Sequence, residues 1–274
     1  MDKFHPGRLI KYWRQDVHKM TQKKLAEGII DSNNLSRIER GDFMPRKWTL
    51  ENLFERLGIT FHSSAPYFYS SQMLELQKMK DDLDSHLTND NVSDALKIIE
   101  QLESNDEFMG EVCNVQYIVA TRSLCDAYMG GDDKMILETL EVTIKSARPK
   151  IFDGRLDANL FSNTDFLILG MIAILCFKLG EHERAITIFE GLKKNAEIHC
   201  VGKIEFGRRY PRIIYNLSKC LGLLGRHTEA IAVAVEGKAA CLYTGALWYL
   251  PSIVTNEACS RFEIGERCLR TAIT

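Results

Sequence analysis

Apolar residues recur at spacings of three and four along almost the whole chain, and no alternating run of useful length interrupts them. The pattern predicts an all-α protein. The prolines, at 6, 45, 66, 149, 211 and 251, mostly fall between the periodic segments. Turn-formers gather in "GITFHSSAP", Gly58 to Pro66, after a helix stop signal. This predicts two domains, a small one over 1–62 and a longer one over 63–274.

The longer part repeats. "FKLGEHERAITIFEGL" and "GLLGRHTEAIAVAVEG" align Gly180 with Gly225 and Ala185 with Ala230, both shifted by 45 positions. "TNDNVSDALKIIEQLE" supplies Ala95 a further ninety residues upstream, and another copy begins at Gly265. Units of about 40–45 residues, each two helices joined at a small residue, are the mark of a helical solenoid. Glycine lets the chain turn between helices, and the alanine five residues on lets them pack closely. The expected architecture is a right-handed α-solenoid behind a small helical head.

Within the head, "MTQKKLAEGIIDSNNLSRIERG" reads as two short helices around a turn at Gly28 to Ile30. Thr21 is a good cap for the first, and either Asp31 or Ser32 caps the second. Leu35 and Ile38 of the second helix face inward. Its front carries Asn33 and Asn34, which helix interiors disfavour. Such side chains suit the tip of a helix entering a major groove, where an amide pairs with adenine and Arg37 forks onto guanine. Gln22 opens the first helix, where an amide and backbone N–H groups can meet a phosphate.

Charge sharpens this reading. The net charge of −2 divides into +4 over residues 1–60 and −6 over the remainder, a basic head on an acidic body. Eight cysteines lack any C-x-x-C spacing, and most lie in apolar helical patterns, which predicts buried, reduced thiols and an intracellular setting. "MDKFHPGRL" has no signal-peptide core. The longest apolar run, Phe166 to Phe177, is twelve residues, short of a bilayer span. There is no phosphate loop, H-E-x-x-H or nucleophile elbow, so no catalytic residue, metal or cofactor is expected. The histidines are scattered, and surface placement is expected for His18, His182 and His227.

The head resembles the Cro/phage-repressor type of helix-turn-helix in "TQ-x-x-LA … S-x-I-E-x-G", over about residues 7–60. That likeness implies a salt bridge between Arg14 and Glu39. Gln22, Ser32, Asn33, Asn34, Ser36 and Arg37 are the candidate DNA contacts. Thr21 to Gly41 is one residue shorter in the turn than the commonest form.

The body resembles tetratricopeptide repeats with lengthened units. In that family the first helix of each pair lines a concave groove, which implies Arg212, Tyr215, Asn216, Lys219 and Gly222 as lining positions. Ile214, Leu217, Leu221 and Leu224 then face the core. Asn256 occupies the frame of Asn216 in the last copy. Asparagine amides satisfy the N–H and C=O of an extended peptide, and Arg212 and Lys219 can take a carboxylate. One copy earlier the stripe is Leu167, Gly170, Met171 and Ile174, suited either to apolar ligand side chains or simply to core. Arg122 falls near the stripe of an earlier, poorly aligned copy.

Head and repeats together, with "IIYNLSKCLGLLGRHTEA", resemble the Rgg/PlcR-like quorum-sensing regulators. The resemblance implies a cytosolic transcription factor of Gram-positive bacteria, a homodimer on two-fold related double-stranded DNA that binds a short signalling peptide. Peptide contacts are then expected at Arg122, Met171, Arg212, Tyr215, Asn216, Lys219 and Asn256. The alternative is an adaptor or repressor tethered to DNA, whose repeats hold a partner protein or only dimerise.

Overall fold

The computed structural model describes the backbone of residues 6–57, 71–89, 91–200 and 203–265. It is all-α, with no strand among the described residues. The head comprises α1 (Pro6–Tyr12), prolonged by a π-helical turn at Trp13–Val17, then α2 (Gln22–Ala26), α3 (Ser32–Arg40) and α4 (Lys47–Arg56). There follow α5 (Ser71–Thr88), α6 (Val92–Glu103), α7 (Asp106–Met109), α8 (Val112–Tyr128) and α9 (Asp133–Ala147). The rest is α10 (Asn163–Lys178), α11 (His182–His199), α12 (Lys203–Leu223), α13 (His227–Thr244) and α14 (Leu250–Glu263). Turns of 3-10 helix at Leu156–Ala158 and Leu247–Tyr249 lie between some of them.

The chain divides into two compact units, residues 1–151 with 160–168, and residues 152–159 with 169–274. The domain boundary expected near residue 62 lies outside the described residues.

In the first unit the inward side chains of the head, among them Ile10, Leu25, Leu35, Ile38, Leu53 and Phe54, form one buried cluster. A second cluster, built by Leu83, Ile99, Leu102, Phe108 and Ile118 of α5 to α8, also takes in Trp48 from α4. Trp48 stands edge-on to Phe108 at 5.2 Å. One short helix therefore serves two cores, with Leu50, Leu53 and Phe54 turned to the head and Trp48 to the repeats. Thr49 donates to Glu111 at 2.7 Å beside it.

The repeat frame read from the sequence is present. Gly180 and Gly225 hold φ of +88° and +74° at the ends of α10 and α12, a conformation that costs an L side chain strain. The aligned alanines are buried, Ala95 and Ala185 fully and Ala230 to 1 % exposure. An additional pair, α8 with α9, escaped alignment because its turn has two glycines, Gly130 and Gly131, and Ile136 stands where alanine is otherwise found.

In the second unit α13 crosses α12 at Gly237, where any Cβ would overlap the side chain of Ile214. The loop turn Leu156–Ala158 is tied to α11, since the Asn195 amide donates to the carbonyls of Leu156 (3.0 Å) and Asn159 (2.6 Å). Pro211 lies inside α12, which runs on through the lost ladder bond. Cys113, Cys125, Cys176, Cys220 and Cys241 are buried free thiols as expected, whereas Cys259 is exposed. His18, His182 and His227 are half-buried rather than fully at the surface. Each of the latter two opens a helix and buries an unpaired Nδ1.

Candidate DNA-reading and ligand-binding sites

The geometry of α3 is set by three polar devices. Thr21 caps α2 by accepting from the Lys24 N–H at 3.2 Å. Asp31, not Ser32, caps α3: its carboxylate accepts from the N–H groups of Asn33 and Asn34, both at 2.9 Å. Glu39, 5 % exposed, receives Arg14 Nε at 2.5 Å and its NH2 at 2.8 Å, and also the Gln22 amide at 2.8 Å. This pair joins the end of the first helix to the body of α3, and the π-helical turn at Trp13–Val17 carries Arg14 into it. Charge-assisted, two-pronged bonds of this kind fix direction as well as distance. Leu35 and Ile38 are fully buried, so α3 shows its other face to solvent.

On that face Asn33 and Arg37 are exposed, and Ser32, Asn34 and Ser36 are half-exposed. Asn34 donates to Asp31 Oδ2 at 2.5 Å and accepts from Arg37 at 3.4 Å. The Arg37 guanidinium lies over the Phe43 ring, 5.3 Å from its centre. Arg40 donates to Ser36 Oγ at 2.7 Å, leaving that hydroxyl occupied by a neighbouring cation. Gln22 retains a second amide hydrogen beyond the one given to Glu39. Phe43 was missed in the sequence, because the segment after Gly41 has no period to place it.

The head is wired to the first repeats through buried charge. Arg56 at the end of α4 donates to the Leu25 carbonyl at 3.0 Å and to that of Glu27, the C-terminal turn of α2. It also meets Asp165 at 3.4 Å, and Asp165 meets Arg148 at 3.1 Å. Arg148 further bonds the Leu160 carbonyl at 2.8 Å and reaches Glu27 at 3.5 Å. Burial and the neighbouring Arg148 push the Arg56 guanidinium down to about 9, against the pull of Asp165. Burial works against the Asp165 carboxylate, yet Arg148 and then Arg56 hold it below the usual range.

Arg122 also belongs to the first unit. Its guanidinium forks onto Glu103 of α6 at 3.0 and 2.6 Å. It lines a cavity of about 250 Å³ with Ser123, Asp126, Met135 and Thr139.

The second unit gathers the remaining candidates, apart from Met171, on α12 and α14. Ile214, Leu217 and Leu221 are buried, while Arg212, Tyr215 and Asn216 are half-exposed and Lys219 is exposed. The two faces of α12 thus differ in exposure as the repeat frame implied, except that Leu224, expected to face the core, lies one residue past the helix and is half-buried. Lys219 Nζ stands 6.0 Å above the Tyr215 ring. Tyr249, from the 3-10 turn before α14, lies 5.9 Å from Tyr215. Asn216 donates to the Arg212 carbonyl at 2.9 Å within its own helix, which leaves its oxygen and one hydrogen for a partner. Asn256 differs: its amide nitrogen donates to the Tyr215 carbonyl and to Ser218 Oγ, both at 3.0 Å. Both of its hydrogens hold α14 on α12, and only its oxygen remains. Met171 is 6 % exposed, so along its stripe Leu167, Gly170 and Ile174 keep surface and Met171 does not. Tyr249 escaped the sequence reading because "LWYLP" lies outside the repeating frame. The unit also leaves Val235, Leu242, Leu247 and Trp248 exposed.

No helix among the described residues is long and apolar enough to cross a membrane. No cluster of potential metal ligands occurs among them.

Neither a protein-family model nor a curated relative matches the chain. Among solved structures it is similar to Bacillus thuringiensis PlcR, crystallised in complex with the peptide PapR7 and DNA. Identity is 17 %, the match covers 95 % of this chain and 88 % of that one, and the TM-score is 0.57. The resemblance read from the motifs therefore holds in the fold: a helix-turn-helix head followed by tetratricopeptide-like helix pairs.

Proposed function

We propose that this chain is a DNA-binding transcriptional regulator whose repeats bind a short signalling peptide that modulates DNA binding, as in quorum sensing. The observation that carries the reading is the front of α3. Asn33 and Arg37 project to solvent from a helix whose direction is locked by the buried Arg14–Glu39 pair. An amide and a guanidinium exposed on such a helix match the side chains that read adenine and guanine edges. In this reading Gln22, Ser32, Asn33, Asn34, Ser36 and Arg37 meet DNA, the first positioning on phosphate and the amides and Arg37 reading base edges.

The peptide half of the proposal rests on α12, where Arg212, Tyr215, Asn216 and Lys219 share one accessible stripe. It is also supported by the likeness to PlcR, whose crystallised complex contains both a peptide and DNA. The chemistry is binding, not catalysis, and the setting is the cytoplasm. A homodimer on two-fold related DNA places its reading helices about 34–36 Å apart. The exposed Val235, Leu242 and Trp248 offer apolar surface for such self-association. Peptide acts through its differential affinity for two states of the dimer, and by no more than that difference.

Thermal unfolding in the presence of the peptide fraction of the producing cell's supernatant tests the reading. A rise of several degrees with peptides shorter than about ten residues supports a sensor. A rise seen only with an intact protein supports the adaptor instead.

A further inference from the structure

The second unit pairs its cations with care. Arg184 meets Glu181 at 2.9 Å, Lys193 meets Glu236 at 2.7 Å, and Arg226 meets Glu229 at 2.7 Å. Lys238 and Arg261 share Glu257, at 2.6 and 2.9 Å. Arg212 stands apart. Among the described residues no carboxylate pairs with its half-buried guanidinium. Its charged or titratable neighbours are Tyr249 and Arg209, and burial, with Arg209 adding to it, lowers its pKa against the effect of Tyr249. Lys219, two turns along the same face, likewise has no carboxylate partner there and only the Tyr215 ring beneath it.

A guanidinium removed from much of its water and set near a second cation is costly unless an anion arrives. The surroundings select which anion. Tyr215 and Tyr249 present rings 5.9 Å apart beside it, and the Asn216 amide lies one turn on. Flat apolar faces, an amide able to match a peptide group and a planar fork of N–H donors together suit a carboxylate on an extended peptide. We propose that Arg212, flanked by Tyr215 and Tyr249, is the seat of a ligand carboxylate, so that the peptide bound by the repeats must carry one there. This rests on the peptide-binding reading above. The carboxylate is either the peptide's C-terminal group or an Asp or Glu side chain.

Four pools of random heptapeptides separate these cases: free-acid or amidated at the C-terminus, each with or without Asp and Glu. The full chain is incubated with each, and retained peptide is quantified by mass spectrometry. We expect the carboxylate-bearing pools to be retained about tenfold or more over the amidated pool lacking Asp and Glu. Which of them is retained identifies the source. Arg212→Gln should lose that preference, and Arg212→Lys should keep part of it. Because the change removes an unpaired charge, Arg212→Gln without peptide should melt no lower than wild type. Equal retention of all four pools, an undiminished preference in Arg212→Gln, or a lower melting temperature for that variant would overturn the carboxylate seat while leaving peptide binding intact. Retention of no pool above a blank would overturn peptide binding itself, and the seat with it.

Discussion

The Asp165 carboxylate lies between two guanidinium groups, Arg148 at 3.1 Å and Arg56 at 3.4 Å, and all three side chains are buried. One member comes from the last helix of the head and the others from the segments around α9 and α10. Asp165 is therefore the counter-charge that lets α4 rest against the repeats of its unit. Asp165→Asn removes the anion between two buried cations and leaves only the longer Arg148–Glu27 contact at 3.5 Å, and is expected to cost about 3–5 kcal/mol in urea unfolding.

The same residue sets an acid dependence. Its carboxyl is held below the ordinary range by Arg148 and Arg56 despite burial. Its contribution is therefore complete above the unfolded value of about 3.9 and fades as pH falls through the lower folded one. The stability gap between wild type and Asp165→Asn should stay constant from about pH 7 to pH 5 and narrow below about pH 4. A gap unchanged at the lowest pH at which the wild type still folds would mean that Asp165 is not the titrating group.

Glu39→Gln removes the charge that Arg14 and Gln22 both address. It should lower stability by about 3 kcal/mol and weaken DNA binding although Glu39 is too buried to touch DNA. Chemical unfolding and fluorescence anisotropy on one duplex measure the two effects together.

Asn33→Ala and Arg37→Ala act the other way. Both residues are exposed, so stability should move by no more than about 0.5 kcal/mol. Each should lose about 1–3 kcal/mol of discrimination at its own base position. A uniform loss over all sequences would reassign the residue to a phosphate contact.

The two asparagines of the second unit should separate. Asn256→Ala breaks two bonds between α14 and α12 and should lower the melting temperature, at about 1–3 kcal/mol. Asn216→Ala loses one bond within its own helix and should leave stability nearly unchanged while abolishing the response to peptide. Calorimetry of both variants decides the first point. Titration with the supernatant peptide fraction decides the second.

Much of this was legible in the residues. Period and turn signals are local, so the all-α class, the α2–turn–α3 hairpin and the Gly180/Gly225 frame could be read directly. The two faces of α12 followed from helical spacing only once the likeness to tetratricopeptide repeats had set the frame on Gly225. Asp31 and Ser32 could not be ranked as caps, because both are capping residue types and only the point where the backbone turns helical, at Ser32, decides. Trp48, Arg56, Arg148 and Asp165 were silent for a different reason. Their partners lie far away in sequence, as with Arg56 and Asp165, and no short pattern encodes such a meeting. Asn256 shows the limit of frame matching: it occupies the register of Asn216 but uses its amide to join helices.

In the function proposed above, the front of α3 reads DNA under the control of a ligand on α12. Selection of bound duplexes from a random pool, with and without the peptide fraction of the producing cell's supernatant, tests it most directly. Wild type should enrich a two-fold related site with half-sites about 10–10.5 bp apart or a multiple of that. The amount retained should change with the peptide fraction, and should not change for Asn216→Ala. A pool left unenriched, or a peptide effect equal in wild type and Asn216→Ala, would contradict the account.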